Sequence, residues 1–94
     1  MNDGKAWLEE LPWPFEDCAV LDCNIVAHSD GGSRASCSAA AWVVEVGCWG
    51  PGWEYQPIAM GGTYMETRVS SFVADSIALE TCTAYVQNFL LFRR

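Results

Sequence analysis

A short apolar run, Ile25-Val26-Ala27, leads through His28 and Ser29 into Asp30-Gly31-Gly32, and this stretch constrains the chain more than any other. Three adjacent apolar residues without polar alternation predict a strand covered on both faces. That strand begins at about Val20 or Asn24 and ends at Ser29, with Gly31-Gly32 closing it. Two glycines there leave bare backbone beside a fixed carboxylate, which lets a phosphate or a metal approach closely.

The segments that follow supply partners for such a strand. After the small-residue loop Ser36-Cys37-Ser38, the β-forming run Ala39 to Val46 predicts a second strand. Gly47, Gly50, Pro51 and Gly52 punctuate the next turn. A third strand spans roughly Ile58 to Thr67, and Gly61-Gly62 predicts a bulge within it. Short connections make these three strands an antiparallel meander. Ser70 or Ser71 then caps a helix that runs to about Phe92. Ala74, Ile77, Ala78, Thr81, Tyr85 and Phe89 recur at helical spacing as a core-facing stripe. Val73, Leu79, Val86, Leu90 and Leu91 widen it past an ordinary amphipathic face, so the helix needs cover on more than one side.

Residues 1–19 read as a lead-in and residues 20–94 as the domain. Trp7-Leu8-Glu9-Glu10-Leu11 predicts a helical turn or two, ended by Pro12 and Pro14. Trp7, Trp13 and Phe15 are expected to pack on the domain; a tryptophan-baited peptide ligand is the rarer alternative. Trp42 reads as core. Trp49, Trp53 and Tyr55 surround a Gly/Pro turn, where they either form an exposed base-stacking tip or pack on the lead-in. His28 falls two residues before Asp30 and so shares its face of the strand.

Composition narrows the function classes. Ninety-four residues with 51% hydrophobic and 18% charged content make one small folded domain and exclude a disordered chain. A net charge of -7 counts against free binding to nucleic acid, because phosphate neutralisation supplies most of that affinity. It leaves a carboxylate metal site open. Cys18, Cys23, Cys37, Cys48 and Cys82 form no C-x-x-C pair and are odd in number, as expected of a reduced protein with buried thiols. A zinc site drawn from Cys18, Cys23, His28 and Cys48 is a conceivable minor alternative, although the spacing matches no standard ligand pattern. Asp3, Glu9 and Glu10 leave no basic leader, and no apolar run reaches the ~20 residues of a membrane span. An intracellular protein, cytoplasmic or nuclear and with no membrane contact, is the expectation.

A strand ending Asp-Gly-Gly-Ser, two antiparallel strands, and a helix reading Ala74-Asp75-Ser76-Ile77-Ala78-Leu79 occur in this order. The order resembles the first half of a type 1 ribonuclease H domain, a module of cellular enzymes also found behind reverse transcriptases. In that family the strand turn is Asp-Gly-Ser-like, the second strand is Ala-rich and the helix carries Ala-Glu-x-x-Ala-Leu. The resemblance covers about Asn24 to Leu91 and implies an α/β fold: a truncated ribonuclease H-like fold of a three-stranded antiparallel meander followed by one long helix. It implies a metal-dependent endonuclease that cleaves the RNA strand of RNA–DNA hybrids.

On this resemblance Asp30 and Asp75 are the catalytic, Mg²⁺-binding acids, with Asp75 one methylene shorter than the family glutamate. Gly31, Gly32 and Ser71 would face the substrate. The family's third acid lies on a later strand, and the chain ends at Arg94 before it; Asp22 and Glu80 match no motif. The expectation is a polypeptide inactive alone. Ile25-Val26-Ala27 is then expected to lie on an open edge that favours self-association. A non-catalytic ribonuclease H-like relic or protein-interaction module is the alternative.

Overall fold

The computed structural model describes residues 5–16, 18–48, 50 and 53–93. Asp3 and Asp17 lie outside them, as do Trp49, Pro51 and Gly52 of the expected aromatic turn. Strands β1 (Lys5–Glu10), β2 (Cys23–Ser33), β3 (Ser38–Cys48) and β4 (Gln56–Met65) form one antiparallel sheet in the order β1-β4-β3-β2. Helix α1 (Ser71–Arg93) follows and packs on one face, chiefly over β2 and β3.

The expected meander is therefore β2-β3-β4, and a fourth strand joins it. The lead-in is not helical: Lys5–Glu10 pairs with β4, Trp7 opposite Gly62, and Leu11 N–H donates to the Ile58 carbonyl at 2.9 Å. A pairing edge on β4 overrides the weak local helical preference of Leu8-Glu9-Glu10.

β2 also runs further than Gly31-Gly32. Both glycines stay in the ladder, opposite Ala40 and Ala39, and the reversal comes at Arg34–Cys37, where Arg34 N–H donates to the Cys37 carbonyl at 2.8 Å. Asp30 is thus a strand residue opposite Ala41, not a turn former. β2 lies at the sheet edge as expected, and this changes its burial: Ile25 and Val26 are half-buried and Ala27 is exposed.

β3 is the spine of the core. Ser38, Ala40, Trp42, Val44 and Val46 alternate inward and are buried under α1. The bulge falls at Ile58, where Val44 pairs Ala59 and Glu45 pairs Pro57, rather than at Gly61-Gly62. Pro57 has no N–H to give a ladder, so an irregularity beside it is the expected accommodation. Gly61 and Gly62 instead make room for indoles: a Cβ on Gly61 would stand 2.5 Å from Trp42 Cζ2, and one on Gly62 2.9 Å from Trp7 Nε1.

Ser70 is the helix cap. Its Oγ accepts the Val73 N–H at 3.1 Å, and its carbonyl accepts the Ala74 N–H at 3.0 Å. From there Ala74, Ala78, Cys82 and Phe89 are buried, with Ile77, Tyr85 and Val86 half-buried beside them. Thr81, expected in the stripe, is exposed and donates back to the Ile77 carbonyl at 2.8 Å; Cys82 takes its place. Leu79, Leu91 and Phe92 stay exposed, so the wide apolar surface of the helix is uncovered on its flanks. Trp13 and Phe15 pack against the core, Trp13 stacking on Phe89 at 6.1 Å between centroids. Among the described residues no helix is long and apolar enough to cross a membrane.

Candidate functional site

The helix comes close to β2 at one point, and glycine is the reason. A Cβ on Gly31 would lie 2.3 Å from the Ala74 carbonyl carbon and 2.5 Å from the Asp75 nitrogen, so only a bare α-carbon fits there. Ala74 supplies the other half of the approach with a side chain too small to hold the backbones apart. The contact brings Asp75 to the strand: Gly31 N–H donates to Asp75 Oδ1 at 2.8 Å. Asp75 Oδ2 has no hydrogen-bond partner among the described residues.

Two of the sequence-derived site residues, Gly31 and Asp75, are thus in direct contact, and Asp30 is covalently next to the first. The side chains diverge, however. Alternation along β2 puts Gly31 on the α1 face and Asp30 on the opposite face, with His28. There Asp30 and His28 line a shallow depression with Trp7, Ala41, Val43 and Met60. Both carboxylates are exposed and flank the same free edge from its two sides. Ser71 is exposed in the first turn of α1, and Gly32 has open space beyond its α-carbon. Among the described residues no third His, Cys, Asp or Glu side chain groups with Asp30 and Asp75.

His28 is engaged elsewhere: its Nε2 lies 3.1 Å from Glu45 Oε1 across the β2–β3 ladder. Trp53 and Tyr55 pack edge to face at 5.1 Å over Gly47. A small polar knot holds the loop before α1. Ser38, buried, accepts the Val69 N–H at 2.9 Å, while Ser33 donates to the Val69 carbonyl. The knot fixes the register of the α1 start against β2, and the sequence gives no local sign of it.

The cysteines depart from the all-thiol expectation. Cys18 and Cys48 form a disulfide; Cys23, Cys37 and Cys82 are free. Cys23 and Cys48 are register partners at the end of the β2–β3 ladder, and a 3₁₀ turn at Val20–Asp22 folds Cys18 back over them. The Cys23 sulfur lies 3.3 Å from that of Cys18, and all three sulfurs lie within 4.8 Å of one another. His28 is not part of this group. Burial, and then the Asp22 carboxylate, push the Cys23 thiol above its ordinary range. Burial alone does the same to Cys82.

A groove of about 250 Å³ runs between the β2 edge and α1, lined by Ala27, Ser29, Leu79, Cys82 and Val86 among others. No protein family, no curated protein and no solved structure matches the chain.

Proposed function

We propose that this chain is a ribonuclease H-type half-domain, whose Asp30 and Asp75 contribute to a Mg²⁺-dependent centre for cleaving the RNA strand of RNA–DNA hybrids. One observation carries the reading. The Gly31 amide on the Asp75 carboxylate, with no room for a Cβ between strand and helix, joins the two motifs on which the resemblance rests. A coincidental match of two short motifs would not require them to touch.

The donor set suits the ion. Mg²⁺ takes hard oxygens and is commonly held by one or two carboxylates, with water and substrate phosphates filling the remaining positions. Asp30 and Asp75 would hold it at the β2 edge. An ion held there would supply charge stabilisation for a leaving oxygen and a more acidic water as nucleophile. The chain's own part is positional: Gly31 N–H fixes Oδ1 of Asp75, and Gly32 leaves a nucleic-acid backbone room to approach. With this reading goes an intracellular setting, cytoplasmic or nuclear.

A second reading is favoured by one specific observation. No third ligand side chain joins Asp30 and Asp75 among the described residues, and strand alternation turns the Asp30 side chain to the sheet face away from α1, the helix that carries Asp75. A non-catalytic module that keeps the scaffold would look the same.

Paramagnetic Mn²⁺, added in place of Mg²⁺, separates the two. The nuclease reading expects amide signals at Asp30, Gly31 and Asp75 to broaden first and Asp30→Asn to remove the effect. Mg²⁺-dependent cleavage of a hybrid by the chain, abolished by Asp30→Asn, would extend the reading to a self-sufficient enzyme. No selective broadening at these three amides leaves the non-catalytic module.

A further inference from the structure

At the other end of β2 from Asp30, we propose a second site: Cys18, Cys23 and Cys48, once the Cys18–Cys48 disulfide is reduced, bind one Zn²⁺ through three thiolates. The inference is independent of the nuclease reading, since it uses none of the same residues.

Three separate structural elements converge on the site. The ladder pairs Cys23 with Cys48 across the end of β2 and β3. The 3₁₀ turn at Val20–Asp22 returns the chain so that Cys18 lies above that pair, with Cys23 N–H donating to the Val20 carbonyl. Trp13 Nε1–H donates to the Cys18 carbonyl at 3.1 Å and holds the returning segment from outside. The backbone thus gathers three sulfurs within 4.8 Å, although a disulfide needs only two. The third, on Cys23, is 3.3 Å from Cys18 Sγ. Sulfurs sharing one tetrahedral Zn²⁺ at ~2.3 Å stand about 3.8 Å apart. Small side-chain rotations at Cys23, and separation of Cys18 and Cys48 after reduction, reach that spacing from the spacing observed.

The ligand chemistry selects the ion. Thiolates favour a soft or borderline cation and disfavour Mg²⁺ or Ca²⁺. With no fourth ligand in the group among the described residues, one position of the tetrahedron is left to water, so the ion would be exchangeable rather than sealed. The redox step balances simply. A phosphine reductant takes the oxygen of one water to become its oxide; the S–S bond breaks, and that water's two protons complete the Cys18 and Cys48 thiols. Binding Zn²⁺ to the three thiols then releases three protons. Disulfide and zinc site are mutually exclusive occupants of one cluster.

The test uses the full chain after phosphine reduction, titrated with Zn²⁺ against a chromophoric chelator and with Co²⁺ as a spectroscopic probe. One equivalent of Zn²⁺ is expected, together with a thiolate-to-cobalt charge-transfer band. Cys23→Ser should weaken uptake by at least the roughly 10–100-fold that loss of even an outer-shell partner costs, while Cys37→Ser leaves it unchanged. A second readout needs no variant: Zn²⁺ should slow alkylation of Cys18, Cys23 and Cys48, but not of Cys37, as mapped by mass spectrometry. Absence of stoichiometric uptake overturns the proposal. So does uptake indifferent to Cys23→Ser, or alkylation protection that omits Cys23.

Discussion

Gly31 and Asp75 stand 44 positions apart in the chain and 2.8 Å apart in space, amide nitrogen to carboxylate oxygen. The bond ties an edge strand to the first turns of the helix laid over it. It exists because position 31 has no side chain. Replacing Gly31 by Ala would set a methyl 2.3 Å from the Ala74 carbonyl carbon, and backbone on both sides leaves nothing flexible to yield. Gly31→Ala is expected to cost about 3 kcal/mol, the upper part of the range for overpacking, as a lower urea midpoint. Gly32→Ala meets nothing within 4 Å and should shift the midpoint little. Equal effects at the two positions would contradict the close approach.

Ser38→Ala removes the acceptor of the Val69 N–H from a buried site. A loss of about 1–3 kcal/mol follows from leaving that donor unpaired. Faster hydrogen exchange at Val69, spreading to the first turn of α1, is the local sign to look for. Unchanged exchange there would mean that the knot does not anchor the helix.

The β2 edge and the groove beside it predict self-association. Sedimentation of the wild-type chain should show mass rising with concentration. Ala27→Lys, which puts a charge on an exposed edge position lining the groove, should return it toward monomer. A wild-type chain that stays monomeric at every concentration and melts cooperatively would remove this expectation.

Cys82 gives a pH dependence with a definite sign. Its thiol ionises at higher pH in the folded protein than in the unfolded chain, because burial disfavours the thiolate. The folded state therefore holds the proton more tightly. The associated stability is fully present below the unfolded value and is lost as pH rises past about 9 toward the folded value. The difference in unfolding free energy between wild type and Cys82→Ala should shrink across that alkaline range. A constant difference would show that the thiol does not sense its burial.

Much of the architecture could be read from local pattern. Ser70 and Ser71 announced the helix start, of which Ser70 is the cap, Ala74 and Ala78 its buried face, and the β-forming run before Gly47 the second strand of the meander. What escaped depended on distant partners. Lys5–Glu10 is a strand because β4 offers it hydrogen bonds, and nothing in Trp-Leu-Glu-Glu signals that partner. Asp30-Gly31-Gly32 has the composition of a turn, yet the ladder continues through it because the helix above needs a flat, unsubstituted floor. Of the candidate site, two motifs stood in the sequence, and the contact of Gly31 with Asp75 brings them together. That Asp30 faces away from the helix bearing Asp75 follows from strand parity, which could be assigned only once β2 was known to extend to Ser33. The cysteine cluster joins a turn to the ends of two strands, and spacing along the chain carries no trace of it.

The position of β1 bears on the order in which the molecule assembles. Of the four described strands it is made first, yet its partner, Ala59–Tyr64, is made some fifty residues later. The β2-β3-β4 meander closes through short loops and can form as soon as it is synthesised, whereas β1 must cross a long loop whose closure entropy opposes it. Until β4 appears, Trp7 and Leu8 travel exposed on an unpaired strand, open to whichever β-edge they meet first.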